Sequence, residues 1–144
     1  MIKIRKTKDF IVEIDKFKEI SKGIFVSGEI PGAYHGQYMP EQALMIRAKN
    51  GISIMTGCAH PGIVKMVRTI KEKFPGERIY SVFGGFHLKE EDKRAIEIVT
   101  EKFKEMKVEK AGPTHCSGKE AERIFKDEYG NDFISIKTGQ TLDI

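Results

Sequence analysis

A thiol and an imidazole stand two residues apart in Thr56-Gly57-Cys58-Ala59-His60-Pro61-Gly62. Both are metal-ligand types. They lie between an apolar run, Ile52 to Met55, and an amphipathic segment that begins near Pro61. The same plan recurs twice. Ile79 to Phe83 leads through Gly84-Gly85-Phe86-His87 into a helical pattern, and Val108 to Ala111 leads through Gly112-Pro113-Thr114-His115-Cys116 into another. Three of the four histidines and both cysteines therefore fall in strand-to-helix loops.

Strands that alternate with helices form parallel sheets with right-handed crossovers. Their strand-to-helix loops leave at the C-terminal edge of the strands, where open α/β sheets bind ligands. His60, His87 and His115 are thus expected on one rim of one sheet. Each precedes a helix N-terminus, whose positive dipole end disfavours the protonated ring. Neutral imidazole is the form that binds a metal. The plainer alternative is three unrelated loop histidines with local hydrogen bonds. Cys58 and Cys116 also precede helix starts, a position that lowers thiol pKa in general. A redox role or a disulfide across the rim stays open, although neither cysteine belongs to a Cys-x-x-Cys pair.

The elements that must position these loops follow from the rest of the chain. Its 144 residues suffice for one domain with a real core. Charged residues make up 32% and hydrophobic ones 40%, a globular composition rich in Lys and Glu. High Lys/Glu with few Gln, Asn and Cys is a thermophile-like pattern. The formal charge of +4 is spread along the chain, with no basic run and interleaved aromatics of the kind that grips nucleic acid. No apolar run is long enough to span a membrane, and no signal-peptide pattern is present. Two cysteines argue for a reducing cytoplasm rather than a disulfide scaffold.

Residues 2–6 and 10–14 read as strands, Phe17 to Ile20 is ambiguous, and Gly23 to Gly28 is a short strand ending in a turn. Glu29 to Pro40, with Pro31, Gly32, Gly36 and Pro40, reads as an irregular loop of the length that often serves as a lid or interface. His35 within it reads as an exposed loop residue. Ala43 to Ala48 and Ile52 to Met55 form a hairpin around Asn50-Gly51. Ile63, Met66, Val67, Ile70 and Phe74 make the apolar face of the first helix, and Pro61 suits its first turn. The second helix spans about Glu90 to Met106, with Ile96, Val99, Phe103 and Met106 inward. Ser117 and Glu120 form a capping box for the third. Its Ala121, Ile124 and Phe125 face inward, and Gly130-Asn131 ends it. Phe133 to Ile136 and Thr141 to Ile144 read as a closing pair of strands.

These three loop motifs, together with the Gly28-Glu29-Ile30-Pro31 turn, resemble the second half of metallo-β-lactamase-fold hydrolases. They resemble most the branch of 7,8-dihydropterin-6-methyl-4-(β-D-ribofuranosyl)-aminobenzene-5′-phosphate synthases, which assemble methanopterin-type cofactors. The resemblance runs from about Ile20 to the C-terminus. It implies an α/β fold: half of an αββα sandwich, a mixed sheet with about three helices on one face. Residues 1–144 would be one domain, equivalent to the C-terminal half of that fold. It implies a divalent metal ion (zinc, manganese or iron), with His60 and His115 as ligands and Cys58 as a further candidate. Cys58 falls near the place of a bridging Asp in many members. His87, Gly85, Thr114 and Cys116 would face the substrate or support the ligands. The superfamily's His-x-His-x-Asp-His run belongs to the first half and is missing here. A catalytic zinc needs about three protein ligands, so the site in this chain alone is expected to be incomplete.

Helices on one face leave the other face of the sheet open, which predicts a tight partner. A start on Met and an end on a strand read as a complete product. The partner is then a second copy of this chain or a separate chain carrying the first half. The functional expectation is a subunit of a metal-dependent hydrolase or dihydropterin synthase, active only with its partner. Its substrate would be a small molecule of phosphorylated pterin type. Lys65 and Lys119, near helix starts that favour anions, would meet phosphate or simply be solvated. The alternative function is a non-catalytic half-domain for binding or assembly.

Overall fold

The computed structural model describes residues 12–144; the strand expected at 2–6 lies outside them. Six strands form one mixed sheet: β1 (Lys16–Ser21), β2 (Ile24–Gly28), β5 (Ala43–Ala48), β6 (Gly51–Thr56), β7 (Ile79–Gly85) and β8 (Lys110–Thr114), in that spatial order. β1, β2, β5 and β6 pair antiparallel, whereas β6, β7 and β8 run parallel. A two-residue ribbon, β3 (Ala33–Tyr34) with β4 (Gln37–Tyr38), stands apart within the 29–40 loop. The helices are α1 (Ile63–Lys73), α2 (Lys93–Glu105) and α3 (Gly118–Tyr129). No helix of the described residues is long and apolar enough to cross a membrane.

Register explains how the rim is made level. Thr56 lies opposite Gly84, and Gly85 lies opposite Thr114. The three parallel strands end together, so their loops emerge along one edge. Alternation decides the two faces. Phe25, Met45, Ile54 and Val82 are aligned in one row and fully or nearly buried. They join the core with Ile63, Met66, Val67 and Ile70 of α1, Ile96 and Phe103 of α2, and Ala121, Ile124 and Phe125 of α3. Phe86, Phe103 and Phe125 pack on one another with ring centroids 5.5–5.6 Å apart.

The opposite row is Val26, Leu44, Met55 and Phe83. Three of these are half-buried and Met55 is exposed. The C-terminal segment crosses the β8 end of this face. Ile134 donates its N–H to the Ala111 carbonyl at 2.8 Å, and Ile134 and Ile136 press against Gly112, where a Cβ would meet Ile134 Cβ at 2.9 Å.

Several expectations change. The strand expected at 10–14 lies partly outside the described residues, and 12–14 are not in a strand; β1 starts at Lys16 and takes in the ambiguous Phe17 to Ile20. Phe17 anchors it by stacking on Phe25, centroids 5.5 Å apart. The closing pair of strands reduces to one bridge, Ala111 to Phe133, and the rest of the tail is irregular. α2 begins at Lys93, because Asp92 caps it by accepting the Ala95 N–H at 2.8 Å. Ser117 makes no capping box: its hydroxyl donates to the Thr114 carbonyl and accepts from the Phe86 N–H.

Phe74 closes α1 against the antiparallel end of the sheet. Its ring meets Phe17 and Phe25 edge-on, and the Arg47 guanidinium lies 5.2 Å from both the Phe25 and Phe74 centroids. Removing a buried aromatic ring leaves a cavity in addition to the lost transfer energy. Phe74→Ala should therefore cost about 3–5 kcal/mol in urea unfolding.

Candidate functional site

Each of the three loops at the shared edge holds one non-glycine residue in the left-handed backbone region: Ala59 (φ 62), His87 (φ 52) and His115 (φ 55). That conformation is sparsely populated outside glycine, and such residues gather at functional sites. Here it turns each chain sharply from strand to helix. After β8 the turn continues as a 3-10 helix, His115–Ser117.

The loops touch at Gly85. Its N–H donates to the Gly57 carbonyl at 3.0 Å. A Cβ on Gly85 would stand 2.1 Å from that carbonyl, 2.8 Å from Cys116 Sγ and 3.1 Å from Cys58 Cα. Only a glycine lets β7 enter between the other two loops. Thr56 Oγ1 donates to the Gly85 carbonyl at 2.9 Å, and Ser117 Oγ ties the Phe86 amide at 3.0 Å.

Two groups of side chains result. The first is Cys58, His115 and Cys116, whose ligand atoms all lie within 4.8 Å of one another. Both thiols are free and half-buried, and His115 is exposed. The Cys116 thiol donates to the Cys58 carbonyl at 3.5 Å. Burial, with the neighbouring Cys116 thiol and the Glu41 charge, pushes the Cys58 thiol up from its ordinary pKa. The lowered thiol pKa expected from the helix start is thus not found at Cys58.

The second group is His60, His87 and Tyr34. The His60 and His87 ring centroids are 4.4 Å apart, and Tyr34 on the small ribbon covers both, at 4.5 and 5.0 Å. His35, in the turn of the ribbon, is exposed, its ring tilted against that of Tyr34 with centroids 4.0 Å apart. His87 Nδ1 is buried and is, among the described residues, the one buried side-chain nitrogen or oxygen without a hydrogen-bond partner. His60 and His87 also form part of the wall of a cavity of about 290 Å³ between α1 and α2, lined chiefly by Ile63, Val64, Phe86, Leu88 and Val99. α2 begins six residues beyond His87, so no helix dipole acts directly on that ring.

Glu41 joins the groups and was not legible in the sequence. Its Oε2 accepts the Ala59 N–H at 2.8 Å and the Cys58 N–H at 3.4 Å; its Oε1 accepts the His60 N–H at 3.0 Å and pairs with His60 Nδ1. The carboxylate therefore shapes the loop and orients the imidazole, as carboxylates do for metal-bound histidines. With Nδ1 engaged, Nε2 is the His60 nitrogen left for a ligand. Burial alone would raise the Glu41 carboxyl. The His60 and Ala59 amides and the His60 ring outweigh it and hold the group below its ordinary value.

No protein-family model matches the chain. Its sequence is 35% identical over 102 residues to the 7,8-dihydropterin-6-methyl-4-(β-D-ribofuranosyl)-aminobenzene-5′-phosphate synthase of Methanocaldococcus jannaschii, covering 71% of this chain and 35% of that protein. An uncharacterized protein of the same organism is 28% identical over 145 positions, covering 91% of this chain and 54% of that protein. A solved metal-dependent hydrolase of the β-lactamase superfamily superposes with a TM-score of 0.76 at 32% identity, over 94% of this chain and 58% of that one. The chain belongs to the metallo-β-lactamase superfamily. It spans between 35% and 58% of the length of these relatives. The mixed sheet with three helices is the α/β arrangement expected of a superfamily member. The divalent metal that the superfamily implies fits the donors on this rim: imidazole nitrogens and thiols from neighbouring loops, one of the imidazoles oriented by a carboxylate.

Two substitutions test the rim's construction. Gly85→Ala should cost about 1–3 kcal/mol in chemical denaturation, because the methyl group must displace the Gly57 carbonyl or the Cys116 thiol. Glu41→Gln should cost about 2 kcal/mol at neutral pH through weakened charge-assisted bonds. A carboxyl held low in the native state stabilises fully above its unfolded pKa and ceases to do so as pH falls through the native one. The stability gap between the wild type and Glu41→Gln should therefore shrink in acid, below the ordinary carboxylate value of 4.5.

Proposed function

We propose that this chain is the C-terminal half-domain of a metal-dependent enzyme of the dihydropterin-synthase type, working with a partner that supplies the other half. The observation that carries this reading is the convergence of Cys58, Cys116 and His115 with the Glu41-oriented His60 on one edge. The likeness to the M. jannaschii synthase supports the choice of branch. His60 and His115 contribute metal ligands, with Cys58 beside them. The chemistry such a site would supply with a divalent cation bound is Lewis-acid polarisation of a substrate oxygen.

The rest of the work falls to the chain's own groups. His87 and Tyr34 present rings beside the apolar wall of the α1–α2 cavity, a surface suited to a flat heterocycle such as a pterin. Gly85 and Thr114 hold the loops in register behind the ligands. Lys119, exposed near the start of α3, is placed to meet phosphate. Lys65 is less available, because its ammonium donates to the Pro31 carbonyl at 2.5 Å. The reading needs ligands beyond those described, because the His-x-His-x-Asp-His run is missing from these 144 residues; a chain carrying that run would supply them, whereas a second copy of this chain would add only a second set of the present donors.

Turnover of a phosphorylated dihydropterin, measured with this chain alone and mixed with a chain carrying the run, tests the reading. Activity should appear only in the mixture or in a dimer, and His60→Ala and His115→Ala should each lower it at least about a hundredfold. A well-folded monomer that stays monomeric, with no gain on mixing, would contradict it.

A further inference from the structure

Cys116 has no assigned role beyond support, yet its sulfur lies in the one group of donors, among the described residues, that is close enough to share an ion. We infer that Cys58, His115 and Cys116 form a thiolate-rich metal site that this chain holds by itself, selective for zinc over harder cations. It rests on the reading above and deepens it by enlarging the ligand set: Cys116 is a direct ligand beside Cys58 and His115.

The geometry carries the inference in three steps. Around a tetrahedral zinc, sulfur and nitrogen donors stand roughly 3.5–3.8 Å apart. The three donors here all lie within 4.8 Å, so side-chain rotations of about an ångström close the set. Second, adjacent residues on an extended strand point to opposite faces. His115 and Cys116 instead reach the same side, because His115 takes a positive φ of 55 and opens a 3-10 turn. Ser117 holds that turn through its bonds to the Thr114 carbonyl and Phe86 amide, 2.7 and 3.0 Å. Third, Gly85 makes room for the Cys116 sulfur between the loops; any larger residue would stand 2.8 Å or less from it.

The donor chemistry selects the metal. Two thiolates neutralise a divalent cation, and each loses its proton when the cation binds. Soft sulfur donors favour zinc, iron or cobalt over magnesium and manganese. Three protein ligands leave one position free for substrate or for a group from the partner, the pattern of a catalytic rather than a structural zinc site. His115 is exposed, so that position opens outward.

Cobalt(II) reads the site directly. Untagged full-length chain, stripped with chelator under reducing conditions, should bind one cobalt with a thiolate-to-metal charge-transfer band. Zinc should displace the cobalt and manganese should not. Cys58→Ser and Cys116→Ser should each weaken binding at least about tenfold and diminish the band. Alkylation gives a second readout that needs no variant: stoichiometric zinc should protect both cysteines of the wild type. A Cys116→Ser protein that keeps the band and affinity, binding without a charge-transfer band, or cysteines alkylated equally fast with zinc present would each overturn the inference. Failure of the turnover test with a partner would leave all of these results standing, so the two readings fall separately.

Discussion

The site depends on how closely three backbones approach at the end of the parallel strands. Gly85 bonds to the Gly57 carbonyl with no room for even a methyl group between them. That contact sets the spacing of the β6 and β7 loops, and Ser117 extends the tie to the β8 loop. Two thiols and an imidazole from loops far apart in sequence reach one another because these backbones do. The helices behind the rim fix the strands, and the aromatic cluster of Phe86, Phe103 and Phe125 anchors the β7 loop into that layer. The left-handed residues Ala59, His87 and His115 carry a local conformational cost that the surrounding contacts must offset.

A carboxylate adds the second constraint. Glu41 gathers three backbone amides and one imidazole of the loop after β6, so the position of His60 is set from outside its own loop. The two imidazole environments then differ. His60 is braced by a charge and packed against His87 and Tyr34, while His115 stands exposed beside sulfur. The rim expected to hold three equivalent histidines holds instead a sulfur-rich group and an aromatic one. Donors of metal-ligand type and a group of stacked-ring type are thereby separated along one edge.

Much of this architecture was legible because buried parallel strands read as unbroken apolar runs and amphipathic helices carry a clear stripe. The strand–loop–helix recurrence around Cys58, Gly84-Gly85 and His115 marks the rim in the sequence itself. Glu41 escaped because its partners lie 17 to 19 residues onward, and nothing local distinguishes it from a solvated acid. Ser117 misled because its spacing to Glu120 matches a capping box, while tertiary contacts claim its hydroxyl for other groups. The tail misled for a related reason. Its apolar alternation fits a strand, but only Phe133 finds a ladder partner, and Ile134 and Ile136 serve to cover Gly112. The row of Val26, Leu44, Met55 and Phe83 on the far side of the sheet is apolar, half-buried at three positions and exposed at Met55.

X-ray absorption at the zinc edge of the zinc-loaded chain tests the central claim most directly. Two sulfurs at about 2.3 Å with nitrogen or oxygen at about 2.0–2.1 Å is the predicted first coordination sphere. A sphere made only of nitrogen and oxygen, with no sulfur scattering, would contradict it.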